Sequence, residues 1–163
     1  MTEIDRLLDL LDQAFDHKAW HGTNLKGSVR GLNAGKAAWR PAPGRHSIAE
    51  IVVHAAYWKY AVNRRLTGTR RGSFPIPGSN WFAVSDDLDE KTWQGHVRLL
   101  VSTHRTLREA VAALDPDRLD RHEAGSRFRV LDLVHGAASH DLYHAGQVQL
   151  LKALQRSSGV GAP

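Results

Sequence analysis

His140 and His144 stand four residues apart in a stretch of helical periodicity. One helical turn separates them, so both imidazoles point the same way and can reach a single ion. Neutral imidazole is a ligand for zinc, nickel, copper and iron. The spacing alone is common on polar helix faces, but these two fall on an apolar seam. That seam reads Val130, Leu133, Ala137, His140, His144, Gln147 or Val148, Leu151 and Leu154. Imidazoles in a core are costly unless their nitrogens find partners. A metal is one such partner. Backbone carbonyls, or the histidines themselves, are the other. His54 is a third candidate, on the stripe Ser47, Ile51, His54, Trp58 and Ala61. On residue types and spacing, a metal triad and a hydrogen-bonded core cluster both stand.

The other seven of the ten histidines are sorted by position. His104 also lies on an apolar seam, as a packed histidine or a fourth ligand. His17 and His21 repeat the four-residue spacing beside Trp20 but lack an obvious third partner, which suits an exposed helix end. His46 reads as a loop residue. His96, His122 and His135 have no distinguishing seam or spacing.

Four amphipathic stretches must position these residues. The first is predicted from about Thr2 to Trp20, with Ile4, Leu7, Leu8, Leu11, Ala14 and Phe15 at helical spacing. Gly22, Gly27, Gly31 and Gly35 then weaken any long helix, and Pro41, Pro43 and Gly44 mark a loop. The second helix starts at a capping box, Ser47 with Glu50, and ends near Thr67-Gly68. Residues 69–87 form a long irregular connection whose Phe74, Ile76, Trp81, Phe82 and Val84 suit a flap packed over the protein. The third helix begins near Leu88 or Asp89 and ends at Asp115-Pro116. Its seam is Trp93, Val97, Leu100, His104, Leu107, Val111 and Leu114. A connection over 116–129, containing Gly125, leads to a fourth helix from about Val130 to Gln155. Four such helices, each hiding one stripe, pack as a four-helix bundle in a single all-α domain over residues 1–157, with a frayed tail at 158–163.

The bulk properties agree. A chain of 163 residues fits one domain and can bury a core without staples. It has no cysteine, which excludes disulfides, thiolate metal sites and thiol nucleophiles. Acids among the first leucines argue against a secretory leader, and no apolar run approaches the roughly 20 residues that cross a bilayer. A cytoplasmic protein without a membrane partner is expected. The net charge of +5 could favour anions, yet the basic residues are scattered. Their densest group, Arg64, Arg65, Arg70 and Arg71, suits a solvated helix end, and no nucleic-acid motif accompanies it.

The segments His46-Ser47-Ile48-Ala49-Glu50-Ile51-Val52-Val53-His54-Ala55-Ala56-Tyr57-Trp58 and His140-Asp141-Leu142-Tyr143-His144-Ala145-Gly146-Gln147 resemble the two signature regions of the DinB/YfiT-like superfamily. Trp20-His21-Gly22 is similar to its N-terminal region, so the resemblance covers about residues 3–155. It implies an up-down-down-up four-helix bundle in which His54, His140 and His144 hold one divalent metal ion. It also implies either a thiol-dependent transferase or isomerase using mycothiol or bacillithiol, or a member with no assigned reaction. The family name refers to induction by DNA damage and implies no DNA binding.

Three protein ligands leave an open position, the pattern of a catalytic site. Water there would become a nucleophile near neutral pH, and a low-molecular-weight thiol could bind as thiolate instead. The expected function is therefore a metal-dependent enzyme, a thiol S-transferase or a hydrolase, acting on a small-molecule substrate. The alternative is a non-catalytic, metal-stabilised binding or stress-response protein. Three imidazoles suit nickel or zinc, with copper also open. No general base stands out. Asp141 is turned roughly 100° from His140 around the helix, so it either supports a ligand from outside or lies on the surface. Tyr143 reads as packing, and Glu50 as a cap. Arg40, Arg45, Arg64 and Arg65 could hold the carboxylates of a thiol cofactor. Trp39, Trp81 and Phe82, outside the seams, are expected to cover a partner surface in a homodimer.

Overall fold

The computed structural model describes residues 1–123 and 126–159, and Gly125 and most of the expected tail lie outside that range. The first helix, α1 (Glu3–Phe15), opens on a capping box between Thr2 and Asp5. It stops five residues short of the expected Trp20, where the backbone N–H of His17 turns back to the carbonyl of Asp12 at 2.8 Å. The glycine-rich stretch forms two short helices, α2 (Leu25–Ser28) and α3 (Ala34–Ala38). Each begins at an asparagine side chain. Asn24 accepts from the Gly27 N–H at 2.8 Å, and Asn33 from that of Lys36 at 2.9 Å.

Helix α4 (Ile48–Thr67) starts at the Ser47–Glu50 capping box and ends at Gly68, whose φ of 70° supplies the left-handed stop. Helix α5 (Glu90–Ala112) starts at Asp89, which accepts from the Thr92 N–H. A single 3-10 turn (Pro116–Arg118) follows, and then α6 (Val130–Ser157). No strand forms among the described residues, and no helix among them is long and apolar enough to cross a membrane.

Helix α4 packs against both α5 and α6, and α1 packs against the same two. The core has two apolar regions. One gathers Phe15, Ile48, Val52, Trp93, Leu100 and Val148. The other gathers Leu7, Leu11, Val62, Leu107, Val111 and Val134. Trp93 is buried in the first and satisfies its indole by donating to the Leu32 carbonyl at 2.8 Å.

The α4–α5 connection packs down as expected. Phe82 is buried, and it contacts Phe74 and Tyr57 with ring centroids 5.4 and 5.5 Å away. Trp39 also packs on the core. Phe82 is thus used inside the chain, Trp39 is half-buried and Trp81 keeps an exposed face.

Candidate metal centre

Helices α4 and α6 bring His54, His140 and His144 to one point. The Nε2 atom of His140 lies 3.1 Å from that of His54 and 3.0 Å from that of His144. All candidate ligand atoms of the three fall within 4.8 Å of one another. His54 and His144 are buried, and His140 is half-buried.

Their outer nitrogens decide the chemistry. Nδ1 of His54 donates to the backbone carbonyl of Asn80 at 2.8 Å. Nδ1 of His144 donates to Oε1 of Gln147 at 2.7 Å, and the Gln147 amide is held in turn by donating to the Tyr143 hydroxyl at 3.0 Å. A carbonyl oxygen only accepts, so the ring proton of each residue sits on Nδ1. The Nε2 lone pairs then face inward. The lone pairs of His54 and His144 point at Nε2 of His140, which can carry at most one proton to share between them, whereas a cation would satisfy all three nitrogens. Imidazole nitrogens around a tetrahedral zinc stand about 3.3 Å apart. Ligand histidines anchored through their other nitrogen are the usual arrangement of metal centres. The three-histidine group could hold a metal ion.

Charge agrees with geometry. Burial first, and the neighbouring imidazoles second, push His140 down to about 3; burial leads again for His144, held at about 4. Burial also lowers His54. Each shift favours the neutral imidazole that can ligate a metal.

The flap and the α4 N-terminus wall the site. The Trp81 ring is sandwiched between His46 at 3.6 Å and His54 at 3.9 Å. Below this stack Glu50 is more than a helix cap. It receives Arg40 through two bonds of 2.7 and 2.8 Å, His46 at 3.0 Å and the Val84 N–H at 3.4 Å. Burial alone would raise its carboxyl; these donors outweigh it and hold Glu50 at about 2. Arg40 also bonds Asp86 and the Val84 carbonyl. It is therefore committed to clamping the flap, not left for a cofactor carboxylate.

A second polar layer lies beside the triad. Lys59 on α4 and Asp141 on α6 are both fully buried and bond each other, with one Asp141 oxygen left without a partner among the described residues. Burial raises the Asp141 carboxyl, and Lys59 opposes that rise. The same Lys59 ammonium donates to Nδ1 of His104 at 3.3 Å. His104 stacks on Phe15 at 3.8 Å and does not join the triad. Asp141 is therefore an interior ion, not a surface group. Tyr143 is mostly exposed and holds Gln147. His17 and His21 are exposed and join no metal-type cluster among the described residues.

Lys59 escaped the sequence reading, although it carried a signal. Ile48, Val52, Ala55, Lys59, Val62 and Leu66 alternate steps of four and three, and all are buried. A lysine in such a seam must have a buried partner.

A family model described as the DinB superfamily matches residues 18–148. No curated protein and no solved structure matches the chain.

Proposed function

The chain belongs to the DinB superfamily, and on that premise we propose that it is a divalent-metal-dependent enzyme, a thiol-dependent S-transferase or a hydrolase, with His54, His140 and His144 as the ligands. One observation carries the reading: three Nε2 atoms converge while the opposite nitrogens of His54 and His144 are tied to carbonyl oxygens. Two inward lone pairs then have at most one Nε2 proton, on His140, to share between them, a shortfall that a metal ion would remove. Nickel or zinc suits the three imidazoles. A bound divalent ion supplies Lewis acidity, which makes a water or thiol nucleophilic near neutral pH.

The residues of the chain prepare that chemistry. Asn80 and Gln147 fix two tautomers. Trp81 and His46 exclude water from one side of His54. The half-buried His140 leaves the other side approachable. With three protein ligands, one coordination position stays free for a substrate or cofactor thiol.

The bundle topology belongs to the same proposal. Asp12 meets Arg108, and Lys59 meets both His104 and Asp141. These pairings suit an up-down-down-up four-helix bundle. A homodimer is also proposed. Tyr143, Leu150 and Leu154 are exposed, at spacings of seven and four along α6, and two-fold pairing would bury them. Light scattering that gives a monomer at high concentration removes the dimer.

Elemental analysis of the purified protein beside His144→Ala tests the centre. About one divalent ion per chain in the parent and almost none in the variant is expected, and equal contents refute it. Thiol-conjugation and ester panels with nickel- and zinc-loaded protein then test the enzyme. No turnover with either metal leaves a non-catalytic binding protein.

A further inference from the structure

A groove of about 260 Å³ runs between α4 and α6 and is lined at one end by His140. Its walls are Trp58, Val62, Phe128, Leu133 and Ala137, with the buried Lys59 beside them, and most of its surface is apolar. Arg65 lines it too, on the boundary with a neighbouring pocket that also holds Arg64 and Arg71. Seven residues separate Trp58, beside His140, from Arg65, a helical rise of about 10 Å. Arg65 is half-buried, yet no carboxylate among the described residues lies within ion-pair distance of it. Asp132, also on the groove, is already bonded by the Arg129 guanidinium at 2.9 and 3.1 Å. The arginine is therefore the charge left over. A half-buried, unpaired guanidinium is costly and gains most from an anionic partner.

We infer that this groove is the substrate channel of the centre, and that it takes an elongated apolar carboxylate whose anionic end meets Arg65 while its other end reaches His140. The inference rests on the proposed metal centre for the identity of the reacting end, but not for binding. Strongly hydrated bodies such as sugars are disfavoured, because the mostly apolar walls would strip their water and return few hydrogen bonds. Amines are excluded by the sign of Arg65. The length fits a medium-chain acyl or aryl-alkyl acid, about 10 Å from end to end.

Gly136 gives a way to close the channel. It lines the groove within α6, and a side chain started there meets no atom within 4 Å. Replacing glycine inside a helix also favours the helix by up to about 1 kcal/mol. Gly136→Leu is thus expected to fill the groove and to keep the fold.

Calorimetric titration of the full, metal-free chain with octanoate, octanol and octylamine tests this. Octanoate should bind one per chain, and octylamine at least tenfold more weakly. Arg65→Gln should weaken octanoate about tenfold, to the level of octanol, and leave octanol unchanged. Gly136→Leu should abolish binding of both while its melting temperature and metal uptake stay at parent values. Should Gly136→Leu fail to fold, Arg65→Gln carries the test alone. No octanoate binding, equal binding of octanoate and octylamine, or indifference to Arg65→Gln overturns the channel. Failure of the metal centre would appear separately, as a chain that takes up no metal yet still binds octanoate.

Discussion

The Nδ1–H of His54 donates to the backbone carbonyl of Asn80, 2.8 Å away, and Asn80 holds a φ of 63° in presenting it. That region is unfavourable for side chains other than asparagine, aspartate and glycine. Asn80 is also tied down by its side chain, which accepts from the Trp58 indole at 3.0 Å. The left-handed turn is thus fixed from both sides and sets the tautomer of a candidate ligand.

Substitution separates the backbone role from the side chain. Asn80→Val cannot hold the positive φ without strain, so the carbonyl should swing away from His54. Loss of such an outer partner lowers metal affinity by about 10- to 100-fold. Asn80→Gly keeps the conformation and loses only the Trp58 bond, so affinity should fall a few-fold at most. Competition against a chelating dye measures both. Equal losses in the two variants would place the effect in the side chain.

The Arg40–Glu50 pair clamps the flap to α4 one turn before His54. Arg40→Met leaves a buried carboxylate with only His46, Ser47 and Val84 as donors. A loss of about 3 kcal/mol is expected in urea unfolding. Asp86→Asn removes only a mostly exposed partner of the same arginine and should cost under about 1 kcal/mol. Similar costs for the two would show that the clamp does not hold the flap.

The four long helices and the pairing of His140 with His144 were legible because each rests on local periodicity, whereas His54 joined them as a metal ligand through the family resemblance. His140 and His144 share one turn, and Ser47 with Glu50 announces the start of α4. The end of α1 was not legible. Nothing between Asp16 and Trp20 breaks a helix outright, and the chain departs where α2 needs room against α6. The fate of the flap aromatics was hidden for a different reason. Stacking of Trp81 between His46 and His54 joins residues 35 and 27 positions apart, which no period encodes. Lys59 and Asp141 were readable only as a pair. Each is a charge in an apolar seam, and each makes sense once the other is known.

His104 should make the protein acid-labile. Burial first, then Lys59 and Arg108, hold its imidazole down at about 3, against 6.5 for the free group. Between those values the unfolded chain binds a proton that the folded chain refuses. Stability from this group is therefore complete above pH 6.5 and drains away as pH falls toward 3, by up to about 1.4 kcal/mol per pH unit. The triad histidines of metal-free protein act in the same direction, so the comparison needs a variant. His104→Phe keeps the stack on Phe15 and removes the titration. Its stability deficit at pH 7.5 should shrink steadily below pH 6.5 in parallel urea series. A deficit independent of pH would mean that the fold does not shift the His104 titration.

Lys59 and Asp141 carry the largest expected single-site effect, and its sign depends on which partner remains. Lys59→Met leaves Asp141 at the centre of the protein with no cation, and this should cost about 3–5 kcal/mol. Asp141→Leu leaves the Lys59 ammonium buried with only the His104 nitrogen as acceptor, and should cost about as much. The double variant Lys59→Met/Asp141→Leu removes both desolvated charges and the unpartnered Asp141 oxygen. It should therefore be nearer the parent than either single variant, because replacing a buried pair by apolar groups is often neutral. Urea unfolding of all four proteins closes the cycle. Additive losses would show that the two charges do not depend on one another. Metal content of the double variant adds an independent check. The pair lies beside His140 without bonding any triad nitrogen, so uptake should persist where stability recovers.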